Sequence, residues 1–242
     1  MLFQDRTAAG QFLARQLADY ANRPDVLVLA LPRGGVPVAF EVAKALNANL
    51  DVLVVRKLGV PNDKELAMGA LAIAQHFVGT TSRHEKKLPK TEIASTGVRV
   101  LNQDIVHQLN ISDEIINSIV VQEQRELERR EQLYRDNRPF PDLQARTVIL
   151  VDDGLATGAT MRAAVMAVRQ QQPASIVVAV PVAALETYQE LKSKVENIVC
   201  AATPNPFYSV GRWYEIFPQT TDDEVRSLLH KSYKKLSTIV PE

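Results

Sequence analysis

A single cysteine, Cys200, stands in the 242 residues, so no internal disulfide can form and a reducing compartment is expected. Within the run 198–202 it reads as a small buried hydrophobe, and no nucleophile motif surrounds it. Neither sign of charge is in excess. The 28 Lys plus Arg balance 28 Asp plus Glu, so no global field favours nucleic acid or an acidic membrane, and no nucleic-acid partner is expected. No apolar run reaches membrane-spanning length. Gln4, Asp5 and Arg6 stand where a secretory leader would place a basic region leading into an apolar one. The expectation is a soluble, cytoplasmic protein with no membrane contact. The four histidines, His76, His84, His107 and His230, show no paired ligand spacing, which argues against a protein-held transition metal. A Gly-x-Ser-x-Gly elbow, an internal repeat and a low-complexity tract are all missing, so a hydrolase triad lacks support.

What is present is patterned apolar sequence. Hydrophobic residues make up 46% of the chain, ample for the core of one α/β domain over residues 1–242. Helical spacing at Phe12, Leu13, Leu17 and Tyr20 is followed by an expected strand at 26–31, a helix at 36–46 and a strand at 50–55. Strands at 147–151, 175–180 and 197–201 alternate with helices after Thr160 and at 185–195, which predicts a parallel sheet. Between these halves, 98–138 reads as a helical insertion. Ser112 can cap its long helix, and Glu126–Arg130 and Glu131–Arg135 are favourable pairs four residues apart. Its dense Arg/Glu run is expected to be a solvated face, with an RNA- or protein-binding arm as the competing reading.

The most informative run is 148–160. Four apolar residues form a buried strand, Asp152 and Asp153 stand at its carboxyl end, and Gly154, Leu155, Ala156, Thr157, Gly158, Ala159 and Thr160 turn into a helix. Gly154 and Gly158 let the backbone turn so that amides converge on one anion. The helix amino terminus adds unpaired N–H donors, and Thr157 and Thr160 add hydroxyls. A phosphate suits that cradle. The two aspartates before it suit a pair of ribose hydroxyls. The run lacks the Lys of a Walker A loop, and the chain lacks the Gly-x-Gly-x-x-Gly of a dinucleotide fold.

Arg33, Gly34 and Gly35 likewise follow a strand and open a helix. The glycines expose amides, and the Arg33 fork can pair with a diphosphate. Arg56 and Lys57 end the next expected strand, and 58–65 follows as a polar loop containing Asn62, Lys64 and Glu65. Downstream, Phe207, Tyr208, Trp213, Tyr214 and Phe217 place five aromatics within eleven residues. They could stack on a flat ligand or pack under a loop.

Residues 148–160 resemble the PRPP-binding signature of type I phosphoribosyltransferases: four hydrophobics, two acids, a short step, then a small or hydroxyl residue, Gly, any residue, and Thr or Ser. From Phe3 to about Leu229 the chain resembles a bacterial family of phosphoribosyltransferases with no assigned acceptor, on the marks 31–35, 56–59, 65–70, 151–160 and 207–214. The resemblance implies transfer of the 5-phosphoribosyl group of PRPP to a nitrogen of a small-molecule acceptor, with release of pyrophosphate. It implies that Arg33, Gly34 and Gly35 grip the diphosphate, with a non-proline cis peptide at Pro32–Arg33, and that a mobile loop near Arg56 and Lys57 brings cations to it. Asp152 and Asp153 would hold the ribose as exposed acceptors, and Ala156, Thr157, Gly158, Ala159 and Thr160 the 5-phosphate. A hood at 202–220, with Phe207 and Tyr208, would meet the base. Mg²⁺ would arrive on PRPP and not in a protein cage, and a homodimer stays open. Purine-salvage members of the wider superfamily commonly carry an acid where this chain has Ala156, which puts ordinary purine salvage in doubt. A PRPP- or nucleotide-sensing protein with weak or no catalysis is the alternative reading.

Overall fold

Strand alternation sets the core. Along β1 (Val26–Ala30), Val26, Val28 and Ala30 pack into one apolar cluster, while Leu27 and Leu29 pack into a second on the opposite face. This is the two-residue period of a strand buried on both sides. The structure is a computed structural model and describes residues 2–61, 63–72, 98–136 and 138–237. Around β1 lie β2 (Asn49–Val52), β6 (Thr147–Val151), β7 (Ser175–Val182) and β8 (Asn197–Ala202), all parallel, in the order β2-β1-β6-β7-β8. The first cluster is closed by α1 (Arg6–Gln16), α2 (Gly35–Leu46) and α7 (Asp222–Ser237). The second is closed by α5 (Ala159–Arg169) and α6 (Leu185–Lys192). Strand order reverses between β1 and β6, so the loops after these two strands emerge side by side at the switch point, where open parallel sheets collect ligands.

The remaining elements depart from expectation. Arg56 and Lys57 do not end a strand before a loop. They lie within β3 (Val55–Val60), which pairs antiparallel with β4 (Asp63–Ala72), and β4 pairs with β5 (Val98–Leu101). Leu58, Met68 and Leu71 are buried against the first cluster, and this shared apolar face converts the expected loop into a hairpin. Gly59, which suggested a loop, instead sits at the register shifts of that hairpin. The 98–138 segment thus begins with a strand and only then becomes helical, as α3 (Gln103–Gln108) and α4 (Asp113–Arg135).

Ser112 caps α4 through Oγ, 3.4 Å from the Ile115 amide. Glu126 pairs with Arg130 at 2.7 Å on a partly open face. The Glu131–Arg135 pair is not solvated as expected. Arg135 is 2% exposed, with Nε 2.5 Å from Glu131, Nη1 2.8 Å from Asp51 Oδ2 and Nη2 on the Val52 carbonyl. A guanidinium that satisfies two carboxylates and a carbonyl can be buried, and here it seals α4 onto the end of β2. Among the described residues, no helix is long and apolar enough to cross a membrane.

Candidate functional site

The two switch-point loops touch because glycine lines their contact. The Leu31 amide donates to the Val151 carbonyl at 2.9 Å, joining the ends of β1 and β6. A Cβ on Gly34 would lie 2.0 Å from Asp153 Oδ2, so no other residue fits there without moving the acid. The Pro32–Arg33 peptide is cis.

Asp152 and Asp153 are not the exposed acceptors expected from the sequence. Both are half-buried, and the Asp152 carboxylate accepts from the Asp153 amide at 2.8 Å. Asp153 Oδ2 accepts from Arg6 Nε at 2.9 Å and lies 2.8 Å from Arg6 Nη2. Arg6 also donates to the Pro218 carbonyl at 2.7 Å and lies 3.8 Å over the Phe217 ring. Tyr214 donates its hydroxyl to the Asp153 carbonyl at 2.6 Å, and burial together with the nearby aspartate charge pushes its own ionisation up. Burial raises both aspartate pKa values. For Asp152 the Asp153 charge adds to the rise, and for Asp153 the Arg6 cation opposes it. Two acids held partly out of water and close together favour a ligand that brings hydroxyl donors or a cation.

After the acids the chain turns through Gly158, whose φ of 69° lies in the left-handed region. Gly154 has no such φ. It is small because a Cβ would meet Val210 at 2.5 Å. Gly158 is the N-cap of α5 and no side chain caps the helix, which leaves its first-turn amides without a side-chain acceptor, an arrangement able to receive an anion in a cradle. Ala156 and Thr157 are exposed, and Ala159 and Thr160 half-exposed, at its rim. Two bonds hold the cradle from behind: Thr187 Oγ1 donates to the Ala156 carbonyl at 2.6 Å, and Arg162 Nη1 donates to the Thr157 carbonyl at 2.8 Å.

The structure therefore brings Gly34 and Gly35 against Asp152 and Asp153, with the 156–160 cradle following in the chain. Arg33 lies 3.8 Å from Asp222 at the start of α7, and Tyr134 of α4 donates to the same Asp222 oxygen at 2.5 Å. Arg56 is not gathered there. It pairs with Glu123 of α4 at 2.5 Å, and with Lys57 it lines a cleft of about 510 Å³ between β3 and α4. The aromatics divide. Trp213, Tyr214 and Phe217 pack with Phe3 and Ala9, whereas Tyr208 is 71% exposed beside Arg212 and Phe207 is half-buried. Of the histidines, His107 and His230 lie on different helices. His76, His84, Asn62 and the side chains of Lys64 and Glu65 lie outside the described residues.

Sequence reasoning missed Arg6, Thr187 and Arg162 as site residues, and named Tyr214 only as one of five clustered aromatics. Arg6 is 147 positions from Asp153, and no local spacing couples them. Only the aromatic density near Tyr214 gave any signal.

Residues 93–208 match the family model of the phosphoribosyl transferase domain. Over 233 residues the chain is 41% identical to Rv0571c of Mycobacterium tuberculosis (strain ATCC 25618 / H37Rv), named as a candidate phosphoribosyl transferase. That alignment takes in 96% of this chain and 47% of the relative, so the chain spans about half the relative's length. The crystal structure of TT1426 from Thermus thermophilus is similar at 36% identity and a TM-score of 0.76, covering 96% of this chain and 99% of that one.

Proposed function

The chain belongs to the phosphoribosyl transferase family, and on that premise we propose that it moves the 5-phosphoribosyl group of PRPP to a nitrogen of a small acceptor, releasing pyrophosphate. The observation that carries this reading is the contact between the two loops at the switch point: a Cβ at Gly34 would displace the Asp153 carboxylate, which lies just upstream of an uncapped helix start. In the proposed complex, the α5 amides with Thr157 and Thr160 hold the 5-phosphate. Asp152 and Asp153 accept from the ribose hydroxyls, and Arg33 with the amides of Gly34 and Gly35 meets the diphosphate.

Departure of pyrophosphate leaves cationic character on the ribose ring. The protein's part is to hold ribose and phosphates in line and to neutralise the leaving group. Arg56 and Lys57 join this task in the proposal only if Arg56 leaves Glu123. Mg²⁺ bound to PRPP would add charge neutralisation at the diphosphate. The carboxylate oxygens of Asp152 and Asp153 are hard donors that suit the water shell of such an ion. Among the described residues no three Asp, Glu, His or Cys side chains gather around one point.

Arg33 separates the diphosphate from the sugar phosphate. Arg33→Ala is expected to weaken PRPP by about one to two orders of magnitude, the worth of a charge-assisted contact, and to leave ribose 5-phosphate nearly unchanged. Calorimetry with both ligands reads this directly, and equal losses would remove Arg33 from the diphosphate.

The acceptor is tested by pyrophosphate release over a panel of bases. Ala156 offers no carboxylate to assist at a purine ring nitrogen, and such help is typically worth 10²–10⁴-fold in rate. Hypoxanthine and guanine are therefore expected to be poor acceptors. Turnover of either at ordinary enzymatic rates, on the order of 1–10³ per second, would overturn that expectation. Tight PRPP binding with no release for any base would instead support a sensor.

A further inference from the structure

Between α5 and the β4–β5 ladder, adjoining the 156–160 turn through Ala159, lies a cavity of about 240 Å³ whose charged wall the proposed reaction does not use. Its walls come from β4, the end of β5, α5 and the α6 region. Its apolar walls include Ala70, Leu101, Ala163 and Met166, Ala159 is shared with the 156–160 turn, and Arg162, Glu190 and Lys194 supply charge. Met166 is 47% exposed, a large apolar side chain left open at the wall. Glu190 is shared: Oε2 accepts from Arg162 Nη1 at 3.0 Å and Oε1 from Lys194 Nζ at 2.5 Å. These partners hold its carboxyl below the usual carboxylate range.

The bookkeeping of donors is uneven. Two cations face one carboxylate, leaving a net positive charge. Both bonds of Arg162 among the described residues, to Glu190 and to the Thr157 carbonyl, use Nη1 alone. The Nε–Nη2 edge of its fork therefore remains for a planar, two-oxygen acceptor, which is the geometry of a carboxylate. The volume lies below the usual range for drug-sized ligands, so the occupant must be small.

We propose that this cavity is a second ligand site for a small organic carboxylate with a compact apolar body. The carboxylate meets Arg162 and Lys194, and the body rests on Ala70, Ala163 and Met166. Because Arg162 also holds the Thr157 carbonyl, an occupant that engages its fork acts directly on the loop that forms the anion cradle. The site adjoins the cradle through Ala159, but its carboxylate-binding cations, Arg162 and Lys194, are not assigned to the proposed reaction.

Benzoate is the probe, with benzamide as its neutral isostere, titrated by calorimetry and by amide NMR on the full chain. Benzoate is expected to bind about 10–100-fold more tightly than benzamide, as one bidentate charged contact allows. It is also expected to shift the Thr157 and Gly158 amides. Met166→Glu, at an exposed position where folding is safe, places a negative charge at the wall and should abolish benzoate binding, while Met166→Leu should retain it. Equal binding of benzoate and benzamide, no binding of benzoate at 10 mM, on the order of the weakest useful affinity, or benzoate binding untouched by Met166→Glu would each overturn the proposal. None of these readouts uses PRPP, so their failure leaves the proposed transfer reaction standing.

Discussion

Replacing Asp152 and Asp153 together by asparagine is expected to weaken Mg–PRPP binding by about two to four orders of magnitude. Each acid is proposed to accept from a ribose hydroxyl. A hydrogen bond to a charged group is worth roughly 1.5–3 kcal/mol, and each 1.4 kcal/mol is about tenfold in affinity. Calorimetry with Mg–PRPP measures the loss, and unchanged affinity in the folded double variant would end the ribose assignment.

Asp152→Asn alone serves as the folding control, because it leaves the Arg6–Asp153 pair intact. Burial and the neighbouring Asp153 charge raise the Asp152 pKa above its ordinary value. An acid whose pKa is raised by folding stabilises the folded state fully below its ordinary pKa and loses that contribution as pH rises through the folded value. The single variant should therefore melt above the parent at pH 7, and the two curves should converge below about pH 4, the ordinary aspartate value. A functional residue that costs stability in this way is a familiar trade-off. A variant that melts lower at pH 7 would show that the acid stabilises the fold.

Arg6→Leu is expected to lower the melting temperature by about 6–20 °C. The side chains of Arg6 and Asp153 are 10% and 15% exposed, and the guanidinium also holds the Pro218 carbonyl. Removing one partner of a buried pair costs roughly 3–5 kcal/mol, because the other charge is left uncompensated, and each kcal/mol is worth about 2–4 °C at this chain length. Adding Asp153→Asn to Arg6→Leu should recover part of the loss, since the stranded charge is then gone. Thermal denaturation of the two single variants and the double variant gives the coupling. A drop under about 2 °C for Arg6→Leu, less than 1 kcal/mol on the same scale, would show that the pair is not structural.

Regular elements and the turn from β6 into an uncapped helix were legible in the sequence because their causes are local. The 147–151 strand was anticipated to the residue, since an unbroken apolar run buried on both faces needs no distant partner to be recognised. Asp152, Asp153 and the 156–160 turn were readable for the same reason: backbone amides at a helix start and the acids before them lie within a dozen consecutive residues. The hairpin of β3 and β4 was hidden by Gly59 and Pro61, which mark a loop locally; Gly59 sits at the register shifts of the antiparallel ladder, and Pro61 lies in the turn after β3.

Tertiary structure alone decided which charges are committed. Arg135 looked like one more cation on a solvated helix and became a buried anchor, because the end of β2 presents Asp51 and the Val52 carbonyl to it. Arg56 looked free for a diphosphate and instead meets Glu123, because α4 crosses β3. Asp153 looked exposed and is half-buried, because the amino-terminal helix brings Arg6 across the sheet from 147 positions away. Periodicity and turn chemistry act over a few residues and can be read along the chain. The partner of a charge is set by chain crossings over long separations, which no local pattern encodes.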